Sequence, residues 1–204
     1  MSSESSITGL EPAREEDLQP EDYGPDGDSS RHRPLAELAA GLRALPRRPG
    51  DSGRLALIVR RRANGVREAP ELVRLTPQEG VPGDGWSRRP PRGPEAQLAV
   101  MRRDVAELIA NGQSLTLFGD NLFVDLDVSA ANLPAGTRLR VGEALVEVTA
   151  QPHNGCLKFK GRFGQDALRF VHEKPTRNLR GIYWKVVAPG ETRVGDSIQV
   201  LSRP

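Results

Sequence analysis

Arg138-Leu-Arg-Val-Gly-Glu-Ala-Leu-Val-Glu-Val-Thr149 reads as two short strands joined at Gly142-Glu143 by a tight hairpin. The same pattern extends in both directions. Upstream, Leu115-Thr-Leu-Phe118 and Leu122-Phe-Val124 follow the β pattern, and Leu55-Ala-Leu-Ile-Val59 reads as a buried strand followed by the Asn64-Gly65 turn signal. Residues 71–75 and 97–101 are further strands. Downstream, 181–188 and 197–201 close the set, separated by Pro189-Gly190 and Gly195-Asp196. Helical spacing is confined to three places. Leu35, Leu38, Ala39 and Leu42 share a face before Pro46; Val105, Leu108 and Ile109 share one before Gly112; Ala167, Leu168 and Val171 point inward from a helix over 163–173. Many short strands with Gly/Pro turns and two or three short helices predict a mainly β fold, a curled barrel with helical decorations.

Composition agrees. The 204 residues include 21 Gly and 17 Pro but only 4% aromatics. The longest unbroken apolar run, 55–59, falls far short of the ~18 residues that suggest a membrane span. The N-terminus, Met-Ser-Ser-Glu-Ser-Ser, has neither the basic nor the apolar region of a secretory signal. A single cysteine excludes an internal disulfide framework, and a reducing cytoplasm is the expected compartment. Residues 76–95 form a long irregular stretch, of the kind that is usually functional or disordered.

The charge is uneven. Residues 1–30 hold nine acidic side chains and one arginine, whereas the rest of the chain holds 28 basic against 18 acidic. The expected organisation is a disordered acidic tail over 1–33, a short helix and linker over 34–53, and the barrel over 54–204. The tail reads as solvated, with folding back onto the basic body as the alternative. Only four basic residues are lysines. Arginine suits anionic partners, although high-GC coding produces the same bias. No nucleic-acid-binding signature is present, so nucleic acid is not an expected partner.

Cys156 carries the strongest chemical signal. It lies in Pro152-His153-Asn-Gly-Cys156-Leu-Lys158-Phe-Lys160-Gly-Arg162, after a predicted strand. Nearby cations favour the thiolate, the reactive form. An extended segment would put Lys158 and Lys160 on the same side as Cys156, and Gly155 would let a bulky partner approach the sulfur. The competing reading is a small buried apolar residue. The three histidines have no metal-ligand spacing, and there is no phosphate-binding glycine loop or nucleophile elbow. Asp84, Asp120, Asp125 and Asp127 each adjoin a turn, and read more readily as turn residues than as catalytic acids.

Several ordered segments resemble the MOSC family, named for the C-terminal domain of molybdenum cofactor sulfurase. They are Gly80-Val-Pro-Gly83-Asp84, Gly119-Asp-Asn121-Leu122, Leu133-Pro-Ala-Gly136 through Gly142, the Cys156 loop, Arg180-Gly181-Ile-Tyr183, and Pro189-Gly190 through Ile198. The resemblance spans about residues 55–200, and His153 to Gly164 is similar to small stand-alone bacterial members. It implies a β-barrel and a role with sulfur or the molybdenum cofactor, Cys156 carrying a persulfide or ligating molybdenum. Molybdenum-cofactor or sulfur-donor enzymes are the implied partners. The sulfurase's pyridoxal phosphate belongs to a separate domain for which this chain has no room, so that cofactor is not expected. Arg162, Arg177 and Arg180 are the expected forks for a pterin phosphate. Asn121 would fix a pterin edge or serve a turn, and His153, Lys158 and Asp84 complete the expected site. The alternative function is a non-enzymatic module for a small anion or a partner protein.

Overall fold

Strands buried on both faces lose the alternation of apolar and polar residues that half-exposed strands keep. Both kinds occur here. The computed structural model describes residues 24–88, 93–173 and 175–204. Its β-strands are β1 (Ser52–Ile58), β2 (Arg60–Arg61), β3 (Arg67–Glu68), β4 (Leu72–Leu75), β5 (Leu98–Arg102), β6 (Leu122–Val124), β7 (Arg138–Val141), β8 (Ala144–Val148), β9 (Ile182–Ala188), β10 (Gly190–Arg193) and β11 (Ser197–Ser202). Seven of them close a barrel in the order β1-β11-β7-β8-β9-β5-β6. All pairings are antiparallel except β5 with β6.

β7 alternates exposed arginines with buried Leu139 and Val141, because only one of its faces is covered. β5 and β6 are buried on both faces. Leu98, Val100, Leu122 and Val124 fill the barrel with Trp184 and Ile198, while Met101 and Phe123 point outward into a second core. Four helices form that outer layer: α1 (Leu35–Ala44), α2 (Arg103–Ala110), α3 (Leu157–Phe163) and α4 (Gln165–His172). Leu38, Ile109, Phe163 and Phe170 pack there. Burying one such side chain contributes on the order of 1.5–3 kcal/mol, so the helices are held to the barrel by a substantial core of their own.

The mainly β class and the closed barrel agree with the sequence reading, and several local expectations are corrected. Residues 115–117 form a 3₁₀ turn rather than a strand, with the Ser114 hydroxyl accepting from the Thr116 amide as its cap. The helix expected over 163–173 is two helices broken at Gly164, whose φ of 93° no bulkier residue adopts cheaply. Of its expected inward residues, Ala167 and Val171 are buried, Leu168 only partly so, and Phe170 joins them. Gly190, read as part of a turn, starts β10, which pairs with β4. The largest correction is α3. Phe159, Arg162 and Phe163 bury one helical face, so Cys156 is the residue preceding a helix and not part of an extended segment. Most of the tail expected over 1–33 lies outside the described residues, and part of the 76–95 stretch does too. Among the described residues no helix is long and apolar enough to cross a membrane.

Candidate functional site

Cys156 is exposed and lines a cavity of about 300 Å³ where the outer helical layer meets the barrel. Two walls face each other across it. One comes from the helical side, with Cys156, Lys158, Phe159, Arg162 and Phe163. The other comes from the β2–β3 hairpin and the turn that follows β4, with Arg61, Arg62, Arg67 and Arg88. His153, Arg180 and Tyr183 also line it, and no carboxylate does among its described lining residues. The hairpin is possible because Asn64 and Gly65 both take positive φ, 56° and 72°, the geometry a tight two-residue turn requires.

Two of the cations are held by buried carboxylates behind the wall. Asp84 accepts from the Arg61 amide at 2.7 Å and the Trp86 amide at 3.0 Å, and pairs with the Arg61 guanidinium. Burial works to raise the Asp84 pKa, but the Arg61 hydrogen bond and charge outweigh it and hold the carboxyl at about 2. Arg61 also donates to the Gly119 carbonyl at 2.7 Å. Arg180 donates to Asp120 at 2.7 Å and lies 5.0 Å over the Phe159 ring. Its ion-pair partner is thus Asp120. Burial pushes the Asp120 carboxyl up, with Arg180 and Arg61 opposing.

His153 sits between these groups. Its Nδ1 lies 3.7 Å from Asp120 Oδ1, beyond hydrogen-bond reach, and both atoms are buried without a partner. Its ring packs against Tyr183 at 4.3 Å between centroids. Burial, then Arg180 and Arg61, push the His153 pKa well below the usual imidazole value, so the ring is neutral at pH 7. Burial raises the Tyr183 phenol, which therefore keeps its proton. Phe118 stacks on Phe163 at 4.1 Å and forms the apolar floor with Phe159.

The structure thus brings together Cys156, His153, Lys158, Arg162 and Arg180 of the residues singled out in the sequence. Asn121 is elsewhere engaged. Its amide Oδ1 accepts from the Ala99 amide at 3.2 Å and its Nδ2 donates to the Val59 carbonyl at 3.3 Å, tying β5 to the end of β1. It does not line the cavity, and it is not among the residues with positive φ. Asp84 stands behind Arg61. Arg177 lines a separate pocket beside α1 and α4, with Leu42 and Phe170. Gly155, in the loop before α3, is small because α4 packs against it: a Cβ there would meet Leu168 Cδ1 at 2.4 Å. Asp125 pairs with Arg48 and Arg103, and Asp127 accepts from the Ser129 amide. The arginines of the β2–β3 wall were missed in the sequence. Their signal was the density of arginine on both sides of the Asn64-Gly65 turn.

Among curated protein sequences none matches the chain. Solved structures match in fold. The YUAD protein from Bacillus subtilis has a TM-score of 0.57 at 16% identity, covering 75% of this chain and 97% of its own. YiiM from Escherichia coli has 0.51 at 24%, covering 74% and 71%. YiiM from Geobacillus stearothermophilus has 0.56 at 16%, covering 74% and 76%. The family model described as the MOSC domain matches residues 92–199, just over half of the sequence. By that match, which takes in Cys156 and the helical wall of the cavity, the chain belongs to the MOSC domain family.

Proposed function

We propose that the cavity holds an anionic cofactor or a sulfane sulfur at Cys156, the molybdenum cofactor being the ligand its chemistry fits best. The observation that carries the reading is an exposed thiol opening onto a pocket lined by seven cationic side chains and no described carboxylate. A pterin phosphate with an oxo-metal centre is negatively charged, and a thiolate is a soft ligand suited to such a metal. The unpartnered buried Nε of Arg67 also fits an anion, because buried charges are ordinarily paired. In this reading Cys156 is the metal ligand or the persulfide carrier, and Arg67 and Arg162 hold the phosphate. When bound, the cofactor supplies redox chemistry at its metal. The protein's own part is to exclude water with Phe118, Phe159 and Phe163 and to present neutral His153 and protonated Tyr183 as hydrogen-bonding groups. Molybdenum-cofactor or sulfur-donor enzymes are the partners this function requires, in a reducing cytoplasm.

The test is to purify the protein under reducing conditions, measure molybdenum and pterin, and assay persulfide after exposure to a sulfur donor. Wild type is expected to hold one or the other, and Cys156→Ser neither. Absence of both from wild type overturns the reading. The alternative, an anion-binding module without chemistry, predicts instead that Cys156→Ser leaves ligand affinity unchanged.

A further inference from the structure

Seven of the described side chains lining the cavity are arginine or lysine, which donate hydrogen bonds and cannot accept them. An oxyanion in the cavity therefore meets donors on almost every side. His153 is the exception. Its Nδ1 is buried 3.7 Å from Asp120 Oδ1, and neither atom has a hydrogen-bond partner among the described residues. The other carboxylate oxygen, Oδ2, accepts from Arg180 at 2.7 Å, so the charge on Asp120 is paired from the far side.

A neutral imidazole has two tautomers, and the facing carboxylate decides between them. With the proton on Nδ1, the N–H turns its positive end toward Asp120 Oδ1. With the proton on Nε2, a nitrogen lone pair would face a carboxylate oxygen across a gap closed to water, which is repulsive. At 3.7 Å the attraction is that of a charge for a dipole rather than a formed hydrogen bond, and the low local dielectric strengthens it. Burial, then Arg180 and Arg61, keep a second proton off the ring. With Nδ1 turned inward, Nε2 is the nitrogen left to the cavity, and it presents a lone pair there. Tyr183 and Asn154 also line the cavity and can accept, but each can donate as well.

We propose that His153, oriented by Asp120, makes the cavity select oxyanions that carry a proton of their own, hydrogen phosphate being the simplest, over fully ionised ones such as sulfate. A protonated oxyanion donates its O–H to Nε2 and accepts from the surrounding cations. A fully ionised one sets an oxygen lone pair against the nitrogen lone pair and leaves both unsatisfied. The inference rests on the cavity being an anion site and adds which anion it takes; it does not involve chemistry at Cys156. His153 is thus a specificity-determining residue and Asp120 a positioning one.

The probes are inorganic phosphate and sulfate, titrated calorimetrically into the full chain at low ionic strength. At about pH 8 phosphate is chiefly the hydrogen phosphate dianion, which matches sulfate in charge and closely in shape and differs by one O–H donor. Phosphate is expected to bind about tenfold tighter or more. The ring ¹⁵N shifts of His153 should show the proton on Nδ1. In Asp120→Asn the new amide can accept from Arg180 and donate to Nδ1, so the proton should move to Nε2 and the preference for phosphate should vanish. His153→Phe keeps a ring without the acceptor and should also lose the preference, whether or not Asp120→Asn folds. Equal affinities, tighter sulfate binding, a preference that survives His153→Phe, or a wild-type proton on Nε2 would overturn the proposal. Equal affinities would leave the anion site itself standing, whereas no binding of either anion would overturn that reading and this one together.

Discussion

Replacing Asp84 by Asn tests the ion pair that anchors the β2 wall of the cavity. The carboxyl is held at about 2 against an ordinary 3.8, and at 1.36 kcal/mol per pH unit this corresponds to about 2.5 kcal/mol of folding stability at neutral pH. Asp84 is 1% exposed, so solvent screening takes little from that figure. The sign follows from linkage. A carboxyl whose folded pKa is depressed contributes fully above its unfolded pKa, and the contribution is lost as pH falls through the folded value. The pH-dependent part of the gap between wild type and Asp84→Asn should therefore be about 2.5 kcal/mol at pH 7, shrink to about 1.3 at pH 3 and to about 0.4 at pH 2. Urea titrations followed by Trp fluorescence at each pH would measure it. The Arg61 and Trp86 amides donate to different oxygens of Asp84 and Asn keeps only one acceptor, so the fall of the gap with pH, rather than its absolute size, reports the charge. A gap that is negligible at pH 7, or that persists unchanged at pH 2, would refute the reasoning.

Gly181→Ala should cost about 3 kcal/mol or more, because φ is 105° and the new Cβ would sit 2.2 Å from the Val100 carbonyl oxygen; a melting temperature within a few degrees of wild type would contradict this. His153 remains neutral in the fold, so it should erode stability as pH falls below about 6.5, when the unfolded chain takes up a proton that the native ring does not. His153→Gln should flatten that part of the stability–pH curve, and an unchanged slope between pH 6.5 and 5 would argue against a sequestered neutral ring. Phe163→Ala should destabilise by about 3–5 kcal/mol through the cavity left beside Phe118, which chemical denaturation would register; a loss below about 1 kcal/mol would mean the helical layer repacks freely.

The barrel was legible because its strands obey two simple covering rules. β7 and β8 alternate where one face meets solvent, and β5 and β6 run continuously apolar because the helices cover their outer faces. β10 was not legible: Gly190-Glu-Thr-Arg193 carries no apolar residue, and only its pairing with β4 makes it a strand. The Cys156 segment misled through period-two alternation of Cys156, Lys158 and Lys160. Phe159 and Phe163, four apart, were the competing helical signal, and burial against Phe118 decides between them. Cys156, His153, Lys158, Arg162 and Arg180 could be singled out locally. The β2–β3 hairpin that carries Arg61 and Arg67 is local, but it is brought to them by the pairing of β1 with the distant β6 and β11, a relation that sequence spacing does not encode.

The two buried carboxylates offset part of the positive charge that the cavity gathers. Asp120 and Asp84 stand behind Arg180 and Arg61 and cancel charge where the guanidinium groups enter the fold. Those arginines are thereby fixed in position, at the expense of much of their attraction for a ligand. Arg67 has the opposite character, with no such partner and with Arg162 close by. Positioning cations and binding cations are therefore different residues. It follows that removing Asp84 should loosen the wall and that removing Arg67 should weaken anion capture while relieving like-charge crowding. Arg67→Gln should accordingly leave stability unchanged or slightly raised, as measured by thermal melting without ligand. A marked loss of stability in that variant would show that Arg67 is part of the scaffold, and the separation of roles would fail.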